Sequence, residues 1–393
     1  MTRAATGFWY FGFLLTGTLT TLLGPILPRL SPSWHINDSH AGLLFAIQFL
    51  ASLCGSLAGG SIAARVGVAR IVALGLVLCA VGLTFAAFET WPIAAGGVAV
   101  WGLGLGLVIP LVNVTVAAEH PARRAEALNV LNFVWGFGAV TSSPMVTAVV
   151  RFGLRPLLLT LAAIFLLTSL GILLSPKKDT AAVRATNAAV PPRRWSLIVW
   201  TGVFLFLYVG VENALSGWLP TYVTRELGTL AGAAWTQAGF WTALLAGRLF
   251  APMLLKRGLE SRALLLFGLS TAALGEGILI GWQNSVASLS GGCLAGLGLS
   301  SVFPTAVAMF TEKAGSTSTR TTGIVFSFAA FGGVVLPWFV GLASSQLGSI
   351  RWALAAPWAC VIAMLTVVGV VNPWRNEEGP PQARRAFVEP ETL

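Results

Sequence analysis

The sequence predicts an all-α integral membrane protein of twelve transmembrane helices in two pseudo-symmetric six-helix bundles. Three observations predict it. Of the 393 residues, 56% are hydrophobic and only 10% charged, with a mean hydropathy of +0.81, far from the composition of soluble, secreted disulfide-built or fibrous chains. Twelve apolar runs recur along the chain, each of the roughly 20 residues a helix needs to cross a bilayer core. The two halves of the chain also repeat each other at a nearly constant offset.

The runs lie at about 7–28, 40–63, 71–88, 92–117, 127–150, 156–175, 196–222, 235–255, 262–281, 286–310, 321–345 and 352–372. Backbone polar groups cannot face lipid unpaired, so apolar runs without two-residue alternation must be helices rather than barrel strands. The first run continues from Arg3 to Leu27 without a small-residue cleavage site, which predicts an uncleaved helix. Between the sixth and seventh runs, Lys177-Lys178-Asp179 through Pro191-Pro192-Arg193-Arg194 reads as a polar linker. The expected organisation is therefore a bundle over 1–175, a cytoplasmic linker over 176–195, a second bundle over 196–373 and a cytoplasmic tail over 374–393.

Charge sets the expected orientation. With both termini on one side, eighteen Lys and Arg fall on that side and five on the other, namely Arg29, Arg151, Arg155, Arg225 and Arg351. Basic residues collect in cytoplasmic loops, so the termini are expected in the cytoplasm and the chain in the inner or plasma membrane. The net charge of +10 thereby needs no nucleic-acid partner. Cys54, Cys79, Cys293 and Cys360 all lie in apolar runs and form no C-x-x-C pair, so they read as packing residues rather than disulfide or zinc ligands.

The repeat is explicit in several motifs. Gly102-Leu103-Gly104-Leu105 with Pro110 recurs as Gly296-Leu297-Gly298-Leu299 with Pro304, 194 residues on, and Phe137-Gly138 recurs as Phe331-Gly332 at the same offset. Leu27-Pro28 and Leu219-Pro220 are 192 apart, and Arg65-x-Gly67 and Lys256-x-Gly258 are 191 apart. A duplicated six-helix unit explains all four.

With these residues in hand the chain resembles the major facilitator superfamily over essentially its whole length. The most specific segment is Gly60-x-x-x-Ala64-Arg65-x-Gly67-x-Ala69-Arg70, similar to that family's G-x-x-x-D-R-x-G-x-R-R loop after the second span. The resemblance implies that Gly60, Arg65, Gly67 and Arg70 act in conformational switching. Two departures, Ala64 for the acid and Ala69 for the first paired basic residue, remove the acid that would hold one closed state. Val98 stands where many proton-linked drug exporters carry an arginine. Tyr208-Val209-Gly210-Val211-Glu212-Asn213 and Gly217-Trp218-Leu219-Pro220-Thr221-Tyr222, Ala127 to Phe133 with Gly136, Gly138 and Pro144, and Gly247-Arg248 resemble the fucose and glucose/mannose proton symporter branch. That resemblance implies sugar–proton symport by alternating access, with the site between the bundles at mid-membrane.

Three side chains inside the spans carry formal charge: Glu212, Arg248 and Glu276. Each costs about 2.5–3.5 kcal/mol at the bilayer centre on insertion scales, so each should be paired, cavity-facing or functional. Glu212, with Tyr208 and Ser216 one turn to either side, forms a polar stripe suited to a cavity wall. A carboxyl that meets water from one side and then the other can bind and release protons, which makes Glu212 the expected proton-coupling residue. Arg248 lies eight residues from Lys256, roughly 12 Å inside the boundary, where it could tether helix ends or clamp an anionic substrate. Glu276, six residues before Trp282, is expected to reach water, and Asp38 to cap the second span.

Intramembrane amides and rings supply the expected substrate contacts: Gln48, Asn113, Asn129, Asn132, Asn213 and Gln237 with Trp135, Tyr208 and Trp241. Amides bond adjacent hydroxyls while rings stack on apolar C–H faces, which is the chemistry of sugar recognition. The same residues could instead join helices. Trp34, Trp91, Trp282 and Trp374, near span ends, read as an interfacial belt. Gly102-x-Gly104-x-Gly106 lies inside a span and follows no strand, so it is not a nucleotide fingerprint. No G-x-x-x-x-G-K loop, metal cluster or nucleophile–base constellation occurs in the sequence.

The expectation is a monomeric, cofactor-free secondary transporter, not an enzyme, moving a small polar solute, with protons and the lipid bilayer as its other partners. A proton-linked exporter of drugs or lipids is the alternative, and an intramembrane enzyme the remote one.

Overall fold

The computed structural model describes residues 3–88, 90–175, 195–314 and 319–374. The expected linker and tail lie outside them, apart from their edge residues Trp195 and Trp374. The described residues fold as α1 (Arg3–Thr21), α2 (Leu23–Ser33), α3 (Asp38–Val66), α4 (Val68–Ala86), α5 (Trp91–Glu119), α6 (Arg124–Val149), α7 (Leu154–Leu174), α8 (Trp195–Leu227), α9 (Leu230–Lys256), α10 (Ser261–Gly281), α11 (Ser285–Leu299), α12 (Val302–Ala314), α13 (Thr319–Leu347), α14 (Ile350–Ala353) and α15 (Ala355–Thr366). Ten segments among them are long and apolar enough to cross a membrane singly, and the pair α1–α2, bent by 44°, makes an eleventh. The 26-residue α6 completes the twelve expected spans. The outer surface is apolar, with Leu57, Leu174, Val286 and Val370 each more than two-thirds exposed, as lipid contact requires.

Three spans break where the sequence removes backbone donors, the last at Leu354 between α14 and α15, where Pro357 leaves the Ala353 carbonyl free. Pro25 has no N–H for the Thr21 carbonyl, and the turn between α1 and α2 falls at Leu22. Pro304 likewise leaves the Ser300 carbonyl free, and α11 gives way to α12 across Ser300 and Ser301.

The repeat is legible in the packing. Gly102 and Gly106 lie against the Gln48 and Ser52 carbonyls of α3 while Gly104 lies against Gly75 of α4. In the second half Gly296 lies against Phe240 of α9 and Gly298 against Gly268 of α10. Gly138 seats on the Leu14 carbonyl of α1 as Gly332 seats on the Phe206 carbonyl of α8. A Cβ at any of these positions would overlap a neighbouring backbone, so small residues set the helix spacing. The turns repeat too: Gly67 and Gly258 have φ of +99° and +91°, a region open to glycine.

Helices α1–α7 pack mainly on one another, as do α8–α15. The halves meet along α3 with α13, α6 with α9, and α2 with α8. We call the side where α1 begins, and where α3 turns into α4 and α9 into α10, the terminal side. The contacts between the halves lie from mid-span to the opposite side. There α2 packs on α8, whereas α1, the terminal half of the same span, packs on α5, α6 and α7. A cleft between the bundles therefore opens towards the terminal side.

Candidate functional site

The floor of the cleft is built by α6 and α9. Gly136 of α6 lies against the Leu245 side chain, and Trp135 meets Trp241 edge-on with ring centroids 5.5 Å apart. Residues three, four and seven apart share a helix face, so Asn132 and Asn129 continue the Gly136 stripe towards the terminal side, and both are exposed. On α9, Arg248 continues the Leu245 stripe in the same direction. The two helices are antiparallel, so Asn132 and Arg248 occupy facing walls one turn beyond the floor, with Asn129 a further turn out.

Arg248 does not stand alone. Its Nη2 lies 3.2 Å from Glu212 Oε1 and 3.5 Å from the Tyr208 hydroxyl. The side chains are partly open, 30% for Arg248 and 12% for Glu212, so the pair forms a wall of the cleft. A carboxylate and guanidinium 36 residues apart on different helices thus neutralise each other where an isolated charge would be costly. The polar stripe expected on α8 is present: Tyr208 touches Arg248, and Ser216 accepts the Trp241 Nε1–H at 3.0 Å. Phe303 packs on the Tyr208 ring at 5.7 Å between centroids.

The remaining amides are taken up by the protein. Gln48 donates to the Thr20 carbonyl at 3.0 Å and accepts from Trp101 Nε1 at 2.9 Å. Gln237 donates to the Ser216 carbonyl at 2.8 Å and approaches that of Thr21 at 3.5 Å. Pro220 and Pro25 supply no N–H to these last two carbonyls, so Gln237 caps two proline kinks, one from each bundle. Its Oε1 is buried without a partner. Asn113 and Asn213 donate to their own helices, at Ile109 and Val209. Of the expected substrate contacts, the structure therefore brings Asn129, Asn132 and Trp135 to the cleft beside Tyr208, Glu212 and Arg248. Gln48, Gln237 and Trp241 hold helices together.

Three expectations are corrected. Asp38 does not cap α3; Asn37 does, accepting the His40 N–H at 3.0 Å. Asp38 Oδ2 instead crosses to the other bundle, 2.7 Å from Arg225 Nη1 and 2.5 Å from the Ser344 hydroxyl, while Ser39 N–H donates to Ser345 Oγ at 2.8 Å. Glu276 does not reach water: it is 1% exposed and neither carboxyl oxygen has a partner, because Ala272, Glu276 and Leu279 share the inward face of α10. Of the expected belt tryptophans, Trp282 is exposed, but Trp34 and Trp374 are buried, the latter donating to Thr201 Oγ1 at 3.1 Å.

At the terminal side Gly60, Ala64 and Arg65 are exposed. Gly67 joins α3 to α4, and Arg70 Nη1 donates to the Val66 carbonyl at 3.1 Å. Among the described residues this loop makes no ion pair to the other bundle.

The model of the Major Facilitator Superfamily matches residues 9–258 and 201–391. The chain belongs to this superfamily. It is 21% identical to the glucose/mannose transporter of Bacillus subtilis, over 88% of this chain and 89% of that one, and 25% identical to the cyanate transport protein of Escherichia coli, over 89% and 92%. Its fold is similar to the crystal structure of a D-xylose–proton symporter, with a TM-score of 0.75 at 15% identity, over 93% and 96%. The transporter's two bundles, apolar exterior and polar central cleft are thus those of a membrane carrier rather than an enzyme.

Proposed function

We propose that the transporter moves a small polar solute of the sugar class across the inner or plasma membrane by alternating access, coupled to protons at Glu212. The observation that carries this is the Arg248–Glu212 pair, partly open to the cleft and facing the stripe that bears Asn129 and Asn132. A relative named for glucose and mannose supports the solute class. One observation favours a second reading, a small anion: both Arg248 contacts come from Nη2, so Nε and Nη1 remain as spare donors for an oxyanion.

A thermal-shift screen of purified protein against sugars, organic anions and neutral drugs separates these readings, because only ligands of the folded state stabilise it. For the best ligand, Asn129→Ala and Asn132→Ala are each expected to weaken binding by about 1–3 kcal/mol. Binding equal to the parent's in both variants would move the site elsewhere.

The terminal side is proposed to face the cytoplasm, on the distribution of eighteen basic residues against five. A cysteine placed at Asn187, outside the described residues, is expected to resist membrane-impermeant maleimide in intact cells. Labelling from outside would reverse the topology.

A further inference from the structure

The repeat isolates one place where the halves differ. In the second half Arg351, on α14, donates from Nε to the Ile280 carbonyl at 2.6 Å and from Nη2 to that of Gly281 at 3.1 Å, closing the end of α10. Its first-half counterpart is Arg155, 196 residues earlier at the start of α7. Each follows a glycine of positive φ, Gly348 and Gly153. The carbonyls Arg155 would close belong to the end of α4, around Ala86. No such bond forms. A cavity of about 170 Å³ lies there instead, between the end of α4, the start of α7 and the outer end of α2, with Arg29, Trp34, Ala86, Arg155 and Leu158 in its lining.

Both arginines of this lining are exposed. Arg155 and Arg29 have no hydrogen-bond or ion-pair partner among the described residues. The indole of Trp34 is 9% exposed, and its Nε1 is buried without a partner. The first turn of α7 adds free backbone N–H groups, since Gly153 offers no side-chain cap. Ser33 has turned its hydroxyl onto the Arg29 carbonyl, 3.0 Å away, and among the described residues no Asp or Glu lines the space. Two of the five arginines on the less basic side of the protein thus converge on one cavity. Its volume far exceeds the roughly 30 Å³ share of one water.

We propose that this cavity binds a phosphate oxyanion, supplied by the headgroup of an anionic phospholipid in the leaflet opposite the terminal side. Guanidinium forks match phosphate geometry, and the backbone N–H groups of Leu154 and Arg155 at the start of α7 add donors. Leu30 and Leu158, both buried, floor the cavity, and the half-buried Leu154 gives its rim an apolar edge.

The test is thermal unfolding of the full-length protein in neutral detergent, titrated with phosphatidylglycerol, phosphatidylcholine or inorganic phosphate. Phosphatidylglycerol is expected to raise the Tm. In Arg29→Gln/Arg155→Gln its apparent affinity should fall by about tenfold or more. Arg29→Lys/Arg155→Lys, which keeps the charge but loses the forks, should fall between the parent and the glutamine pair, and Arg151→Gln should retain most of the shift. A shift with inorganic phosphate equal to that with phosphatidylglycerol would overturn the lipid source. A phosphatidylglycerol shift that survives the glutamine pair, or no shift with any of the three, would overturn the site itself.

Discussion

Glu212→Gln is expected to abolish uphill accumulation driven by a pH gradient while leaving solute exchange intact. Glutamine keeps the shape of the acid and can still accept a hydrogen bond from Arg248, but it cannot take up or release a proton. With one proton moved per solute, a gradient of one pH unit is worth about 1.4 kcal/mol and sustains about tenfold accumulation in the parent. The variant should stop at a ratio of about one and still exchange labelled for unlabelled solute across proteoliposomes. Elimination supports the choice of residue. Among the described residues the other buried acids of the spans are Glu276, which is sealed inside the second bundle, and Asp38, which is tied to Arg225 and Ser344 at the far end of α3, while Glu212 is partly open to the cleft. Accumulation by Glu212→Gln equal to the parent's would leave a facilitator, or coupling through another ion, as the better account.

Asp38→Asn should release the closed side. One carboxylate oxygen at the start of α3 holds Arg225 of α8 and Ser344 of α13, and these bonds exist only while the side opposite the termini is shut. In the loop after α3 no equivalent restraint reaches the other bundle among the described residues: Ala64 replaces the acid of the family loop, and Arg70 bonds to its own helix. The asymmetry favours the conformation described above. Because the Arg225 side chain is 41% exposed, water partly compensates its loss of a counter-ion, and the substitution costs this state about 1–2 kcal/mol. That moves a two-state equilibrium by roughly 5–30-fold. A cysteine at Asn132 should react with an impermeant thiol reagent from the opposite side faster by that factor. An unchanged rate would mean that Asp38 is not part of the closure.

Much of this architecture was legible in the chain. The twelve spans and the duplicated glycine motifs follow from periodicity, and the packing of Gly102, Gly104, Gly296 and Gly298 on neighbouring backbones explains why those motifs repeat. The polar stripe of Tyr208, Glu212 and Ser216 is local to one helix, so spacing alone revealed it. Its partner Arg248 was not assigned, because pairing between helices depends on their relative rotation, which no local pattern encodes. Gln237 carried a signal that was missed: Pro220 leaves the Ser216 carbonyl without its donor, and a buried amide on the neighbouring span is a natural replacement. Asn37 and Asp38 are adjacent cap formers, and only tertiary contact decides that the first caps while the second crosses between bundles. Distance from Trp282 placed Glu276 near the interface, but helix face, not depth, set its burial.

The central claim is that the two bundles rock about the polar cleft, opening one side as the other closes. Spin labels at Ala64 and Gly323 span the terminal mouth, and labels at His40 and Leu347 span the opposite one. Distance distributions for both pairs, measured with Asp38→Asn and with the best ligand of the screen, test it directly. The account predicts that the first distance shortens as the second lengthens. Two distances that stay fixed, or that change in the same sense, would contradict it.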